Sequence, residues 1–238
     1  MDGRLMKRLL QTYGRVAQRV PTTSEPAVTD RNAKRRAGAR AAILAAAGRI
    51  FARSGLEGAR TDAIARSAGV NKAMLYYYFR SKDLLYLAVL EEHFVEFHRL
   101  AMEVLGQKSS AGELVLRFVD THFDFIGSRP EYPRLFQHVM MADAEQGMRL
   151  IRKYLLPVSA KLVEVLERGK RTRQFLPLDS NHAAVSMVAL NVFYFSTAPV
   201  VKIVTGIDPY SAASRKRRKE EVLRFVRYGI FRHPEAAR

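Results

Sequence analysis

The sequence predicts an all-α protein, on three observations. Apolar residues recur at helical rather than alternate spacing along nearly the whole chain. Capping residues and glycines punctuate that spacing at intervals of one helix length. No period-two run bounded by hairpin turns interrupts it. About nine helices are expected, as a small N-terminal three-helix domain followed by a larger C-terminal helical domain.

The elements follow in order. Residues 1–20 carry Leu5, Leu9, Tyr13, Val16 and Val20 at helical spacing among basic residues, and 21–30 are small and polar with two prolines. Residues 1–31 are therefore read as a basic arm and linker. The arm also resembles an amphipathic surface helix or transit peptide, but it lacks the apolar run of a secretory signal. A first helix, 32–53, places Ala39, Ile43, Leu44, Ala47, Ile50 and Phe51 on one stripe and stops at Gly55. Short helices follow at 61–68 and 71–78, separated by Gly69. Ser81 caps a long helix to about 105. Ser110 and Glu113 have capping-box spacing ahead of a helix ending at Gly127. Further helices are read at 133–141, 144–171 (kinked or divided at Pro157), 181–196 and 214–231. The domains are then 32–92 and 93–232, with a tail at 233–238.

The 238 residues carry 40 Lys and Arg against 23 Asp and Glu, a net charge of +17. Residues 1–90 hold 17 of those bases against 6 acids, so the excess is concentrated where a polyanion would be engaged. The absence of cysteine rules out disulfides and thiolate metal sites and suits a reducing cytoplasm. The six histidines include no i, i+4 pair, so no metal site is expected. No nucleophile elbow, phosphate loop or dinucleotide fingerprint is present, no catalytic constellation is found, and no cofactor is implied. Residues 183–201 are uncharged but contain Ser186, Asn191, Ser196, Thr197 and Pro199. They are read as a core or dimer helix rather than a membrane span.

Residues 60–79, RTDAIARSAGVNKAMLYYYF, run short helix, glycine turn, short helix. That is the form of a helix-turn-helix, whose second helix enters the major groove of double-stranded DNA. Ile64, Ala65, Ala68, Val70, Leu75 and Phe79 supply its core. Asn71, Lys72, Ala73, Tyr76 and Tyr77 are left facing outward, and Arg60, Thr61 and Lys82 flank them. Asn pairs with an adenine edge, Lys with guanine or phosphate, and tyrosine hydroxyls with phosphate. An ordinary helical hairpin with solvated polar residues is the plain alternative.

Ile43–Leu90 resembles the DNA-binding domain of TetR-family regulators. The matching residues are Ile43-Leu44, Ala46-Ala47, Phe51, Gly55, Ile64-Ala65, Ala68-Gly69-Val70, Leu75-Tyr76, Phe79, Ser81-Lys82 and Leu85, at the family's spacing. The chain departs at Arg60, where the family has a capping Ser or Thr, and at Asn71, Ala73 and Tyr78. The resemblance implies a homodimer through the helices at 181–196 and 214–231, a palindromic operator, and a cavity for a small effector that releases DNA.

A hydrophobic or aromatic effector is expected among His98, Phe118, His122, Phe125, Tyr132, Phe136, Met140, Phe193 and Tyr194 as a set, although each taken singly reads first as a plain core residue. The Arg215–Lys219 run is read as a solvated helix start, or as an extra DNA contact in a regulator without an effector. A membrane-surface protein anchored by residues 1–20 and an uncharacterised enzyme are the remaining alternatives.

Overall fold

The computed structural model describes residues 26–141 and 145–233. The N-terminal arm to residue 25 and the tail beyond His233 lie outside the described residues. The chain divides into two units, Met1–Ala39 and Arg40–Arg238, and α1 (Pro26–Gly58) crosses the division. This helix begins earlier than expected, inside the segment read as linker. Proline is suited to a first helical turn, where its fixed φ fits and its missing N–H is not needed. Gly55 breaks α1 at φ 67° and ψ −177°, a conformation in which a side chain would be strained.

Next come α2 (Thr61–Ser67) and α3 (Lys72–Phe79), then the 24-residue α4 (Lys82–Leu105). Ser81 caps α4 by accepting from the Leu84 N–H at 3.1 Å. In α5 (Ala111–Gly127), Ser110 likewise accepts from the Glu113 N–H. The Glu113 carboxylate does not complete the expected box; Ser109 and Arg117 hold it instead. Then follow α6 (Tyr132–Met141) and α7 (Glu145–Leu150), which passes through a π-helical turn (Ile151–Leu155) into α8 (Leu156–Arg171). Pro157 sits in the first turn of α8. The ring cannot donate to the preceding turn, and the backbone answers with the wider π turn rather than a simple kink.

Three helices complete the chain: α9 (Ser180–Ser196), α10 (Ala198–Thr205) and α11 (Ala212–Ile230). The division at Pro157 and the separate α10 raise the expected nine helices to eleven among the described residues. Pro199 in the first turn of α10 starts a new helix bent 75° from α9. No single described helix is long and apolar enough to cross a membrane; the bent α9–α10 pair alone passes on length and composition.

The core is organised around α5, which packs against α4, α8, α9 and α11. Its faces are buried nearly all round, from Leu114 and Val115 through Phe118, Val119 and Phe123 to Ile126. At one end, the Leu176 N–H donates to Ile230 O and the Arg232 N–H to Gln174 O, both at 2.9 Å. The Phe175 and Phe231 rings meet edge-on there at 5.0 Å. Phe175 also lies directly over Gly169, where an added Cβ would stand 2.2 Å from the ring.

One polar pair is enclosed in this core. Asn191, fully buried, donates Nδ2–H to Val119 O at 3.2 Å and lies 3.3 Å from His122 Nδ1. The Asn191 Oδ1 has no partner among the described residues. Burial lowers the His122 pKa to about 4, because the low-dielectric interior disfavours imidazolium.

Two outcomes are expected. Gly169→Ala should cost about 1–3 kcal/mol by overpacking against Phe175, read as a lowered denaturation midpoint with an unchanged slope. His122 stays neutral in the fold while the unfolded chain takes up a proton below about pH 6.5. Stability should therefore fall between pH 6.5 and pH 4, by on the order of 3 kcal/mol. Denaturation of His122→Gln across that range should show a flatter dependence, with His93, also lowered by burial, supplying a residual slope.

Candidate nucleic-acid interface and aromatic core

The α2–α3 hairpin is held by its own turn. Val70 N–H donates to Ala65 O at 3.0 Å and Gly69 N–H to Arg66 O at 3.1 Å. Gly69 takes the left-handed φ of 68° that closes such a helix end. Ile64, Ala65, Leu75 and Phe79 are buried beneath it as expected, with Ala68 and Val70 partly so. The Arg40 guanidinium lies 5.4 Å from the Phe79 ring centroid, joining α1 to α3.

The residues expected to face DNA form one exposed surface. Arg60, Asn71, Lys72 and Ala73 are exposed, and Tyr77 is 72% exposed against 39% for Tyr76. Several of them are tied to each other. Lys72 Nζ is 3.0 Å from Asp62 Oδ1, and that contact holds the Asp62 carboxyl below its usual pKa. The Tyr76 hydroxyl stands 3.4 Å from Thr61 Oγ1, bridging α3 to α2. Lys82 donates to Glu57 O at 3.3 Å, so its ammonium also fastens the end of α1. Arg60 occupies the N-cap position of α2 and, having no acceptor, gives it no side-chain cap; its charge lies near Asp62.

Asn71 has a prior task. Its Oδ1 accepts from the Met74 N–H at 2.7 Å and caps α3. A bidentate contact to an adenine edge needs both ends of the amide, so Oδ1 would have to accept a second bond on its other lone pair while keeping the cap. Sequence reasoning passed over Arg66 and Ser67, which are exposed at the end of α2. Their only signal is exposure next to the turn.

The Arg215–Lys219 run is largely consumed inside the fold. Arg215 donates to Gly127 O, Arg218 donates to Leu190 O and covers the Tyr194 ring, and Lys219 pairs with Asp120 and Asp124. Lys216 and Arg217 remain exposed.

Of the residues expected around an effector, five converge. Phe118 stacks on His122 at 5.9 Å, Phe97 approaches Phe125 at 5.2 Å, and Phe125 meets Tyr132 at 5.2 Å. Phe136 joins through Tyr132 and Phe94. These rings close on one another between α4, α5 and α6. Phe97 and Phe94 are additions that the long helix supplies from its buried stripe.

Three residues lie elsewhere. His98 Nδ1 is 2.9 Å from Tyr154 O; one residue beyond Phe97 turns the side chain about 100° round α4, toward the π turn. Phe193 is 68% exposed, because Asn191 and Phe195 take the buried side of α9 and the residue between them points away. Tyr194 faces α11 through Arg218. The Met140 side chain lies outside the described residues.

Comparison with known proteins gives this geometry its context. Residues 43–89 match the model of bacterial regulatory proteins of the tetR family, and residues 112–226 match a tetracyclin repressor-like C-terminal domain. The HTH-type transcriptional regulator RutR of Escherichia coli K12 is 27% identical over 189 residues, covering 79% of this chain and 89% of RutR. The ketosteroid transcriptional regulator KstR2 of Mycobacterium tuberculosis superposes with a TM-score of 0.68 at 18% identity, over 81% of this chain and 95% of that one. AibR, solved with isovaleryl coenzyme A and operator DNA, gives a TM-score of 0.66 at 15% identity, over 78% and 96%. With its helix-turn-helix and its C-terminal helical domain both matched, the chain belongs to the TetR family of DNA-binding transcriptional regulators.

Proposed function

We propose that this protein is a cytoplasmic repressor that binds a palindromic operator as a homodimer and is released by a small hydrophobic or aromatic effector. Domain boundaries of 32–92 for DNA binding and 93–232 for effector binding and dimerisation accompany this reading. The observation that carries it is the exposed surface of Arg60, Asn71, Lys72, Ala73, Tyr76 and Tyr77 on a rigid hairpin. Phosphate contacts from Arg60, Thr61, Tyr76, Tyr77 and Lys82 would fix its register, and Lys72 with the Asn71 amide would read bases. Because Lys72 is paired with Asp62, it exchanges that partner for DNA, and Asp62 penalises wrongly placed phosphate.

Dimerisation through α9 and α11 is supported by exposed Val185, Phe193, Phe225 and Tyr228. Between the two helices runs a groove of about 460 Å³ lined by Leu190, Val222, Phe225 and Tyr228 with Arg218, Glu221 and Arg224. Bare aromatic and aliphatic side chains in such numbers mark an interaction surface. A two-fold pairing of this face fits two hairpins presented to successive half-sites.

For the effector, the rings of Phe118, His122, Phe125, Tyr132 and Phe136 form the apolar lining, and the open Asn191 Oδ1 is an acceptor for a donor on the ligand. AibR, of the same fold, was solved with isovaleryl coenzyme A, which supports a small-molecule effector here. Since the rings are packed together, the effector enters by parting α4 and α5, and α4 transmits the change to the hairpin. A same-fold regulator without an effector is the second reading, favoured by that closed packing.

A gel shift on DNA upstream of the protein's own and neighbouring genes tests the reading; only salt-labile binding to any DNA would refute it. Tyr77→Ala should weaken operator binding about tenfold, and Lys72→Ala should cost about 1–3 kcal/mol and relax the base preference at its position, with the dimer intact in both by sedimentation. Phe225→Glu should instead yield a folded monomer with greatly reduced operator affinity.

A further inference from the structure

Apart from the aromatic core, a cavity of about 490 Å³ opens where the DNA-binding hairpin's supporting helix meets the body. One wall is α1, through Arg49, Ala52 and Arg53. The opposite wall is the start of α6 with Arg134 and the α9–α10 corner with Phe195, Pro199 and Tyr210. Its floor is apolar and its rim cationic, with three arginines against the single acid Glu131.

The arginines are incompletely used. Arg134 donates one N–H to Ala52 O at 3.2 Å, across the cavity from body to α1. Arg49 reaches Ser67 Oγ only at 3.5 Å, and Arg53 has no partner among the described residues. Thr197 gives α10 no side-chain cap, and its hydroxyl donates to Phe193 O at 2.6 Å. The Tyr210 hydroxyl donates to Phe195 O at 3.3 Å, and burial pushes its pKa up to about 12. The phenol therefore stays neutral and adds no charge that would repel an anion.

We propose that this cavity is a binding site for an amphipathic monoanion, an aromatic or aliphatic carboxylate, distinct from the aromatic core. The carboxylate takes the free donors of Arg53 and Arg134, and the apolar portion lies on Phe195, Pro199 and the Tyr210 ring. Arg53 belongs to the helix that supports the DNA-binding hairpin and Arg134 to the body, so a ligand held by both fixes the angle between them. Occupancy is thereby coupled to operator affinity, and by linkage DNA alters ligand affinity equally. This coupling rests on the reading of α2–α3 as the DNA-reading element; the binding itself does not.

Isothermal titration of the full chain with naphthalene-2-carboxylate, and with its uncharged carboxamide, tests the site without DNA. Saturable one-to-one binding of the carboxylate is expected, with the carboxamide roughly tenfold weaker or absent. Arg53→Gln, whose side chain holds nothing in the fold, and Arg134→Gln should each weaken the carboxylate roughly tenfold and leave the carboxamide unaffected. A gel shift should then show an operator affinity that changes with carboxylate in the wild-type chain and not in Arg53→Gln. No saturable binding, or equal affinity for acid and amide, would overturn the proposal. So would loss of binding in Phe118→Leu with both arginine variants unaffected, since the ligand would then occupy the aromatic core. Carboxylate binding with no operator binding under any condition would overturn the coupling and the regulator reading while leaving the site standing.

Discussion

Everything in this molecule is hung on the continuity of α4. Its 24 residues, about 36 Å of unbroken helix, begin beside the DNA-binding hairpin and end under the far side of the body. Near its start, Leu85, Tyr86 and Val89 are buried in the core shared with α1, where Phe51 meets Tyr86 edge-on at 5.0 Å. Tyr86 also donates to Leu135 O at 2.6 Å, so one side chain ties α1, α4 and α6. Further along, Phe94 and Phe97 enter the aromatic core. A rigid rod that shares side chains with both regions cannot shift at one end without disturbing the other.

The polar residues of the helix-turn-helix that are proposed to meet DNA are already engaged in contacts of their own. Asn71 spends its carbonyl on the cap of α3, Lys72 its charge on Asp62, Tyr76 its hydroxyl on Thr61, and Lys82 a proton on Glu57 O. These contacts are at the surface, where an exposed ion pair contributes little stability. They restrict rotamers, and under the proposed reading that would lower the entropic cost of meeting DNA. Tyr77, packed only edge-on against Tyr78, and Arg60 are the members not so restrained.

The body follows a different logic. The only strictly buried polar pair among its described residues is His122 with Asn191, deep among phenylalanines and leaving one acceptor open. A buried acceptor without a partner costs free energy that an apolar residue would not. Its presence in an otherwise oil-like interior is the physical ground for placing an effector there. By contrast, the cavity between α1 and the α9–α10 corner is cationic at its rim and lined by two parts of the molecule, so it favours charge over bulk.

Much of this was legible in the amino-acid order. The turn at Gly69, the caps at Ser81 and Ser110, the hairpin core from Ile64 to Phe79 and the exposure of Tyr77 all follow from local rules, because each is settled by neighbours within one or two helical turns. The effector set was legible only in part. Composition cannot tell which of two aromatic residues on one helix faces inward, and so Phe193 and Tyr194 were grouped with Phe118 although α9 turns them outward or toward α11. Likewise, the basic run at 215–219 read as solvated charge, while three of its five residues are spent on Gly127 O, Leu190 O and Asp120 with Asp124. The sequence by itself determined the all-helical class, the helix-turn-helix and the family. The tertiary structure alone decided which rings meet, which cations stay free and where the second cavity lies, because those depend on contacts between residues tens of positions apart that no local periodicity encodes.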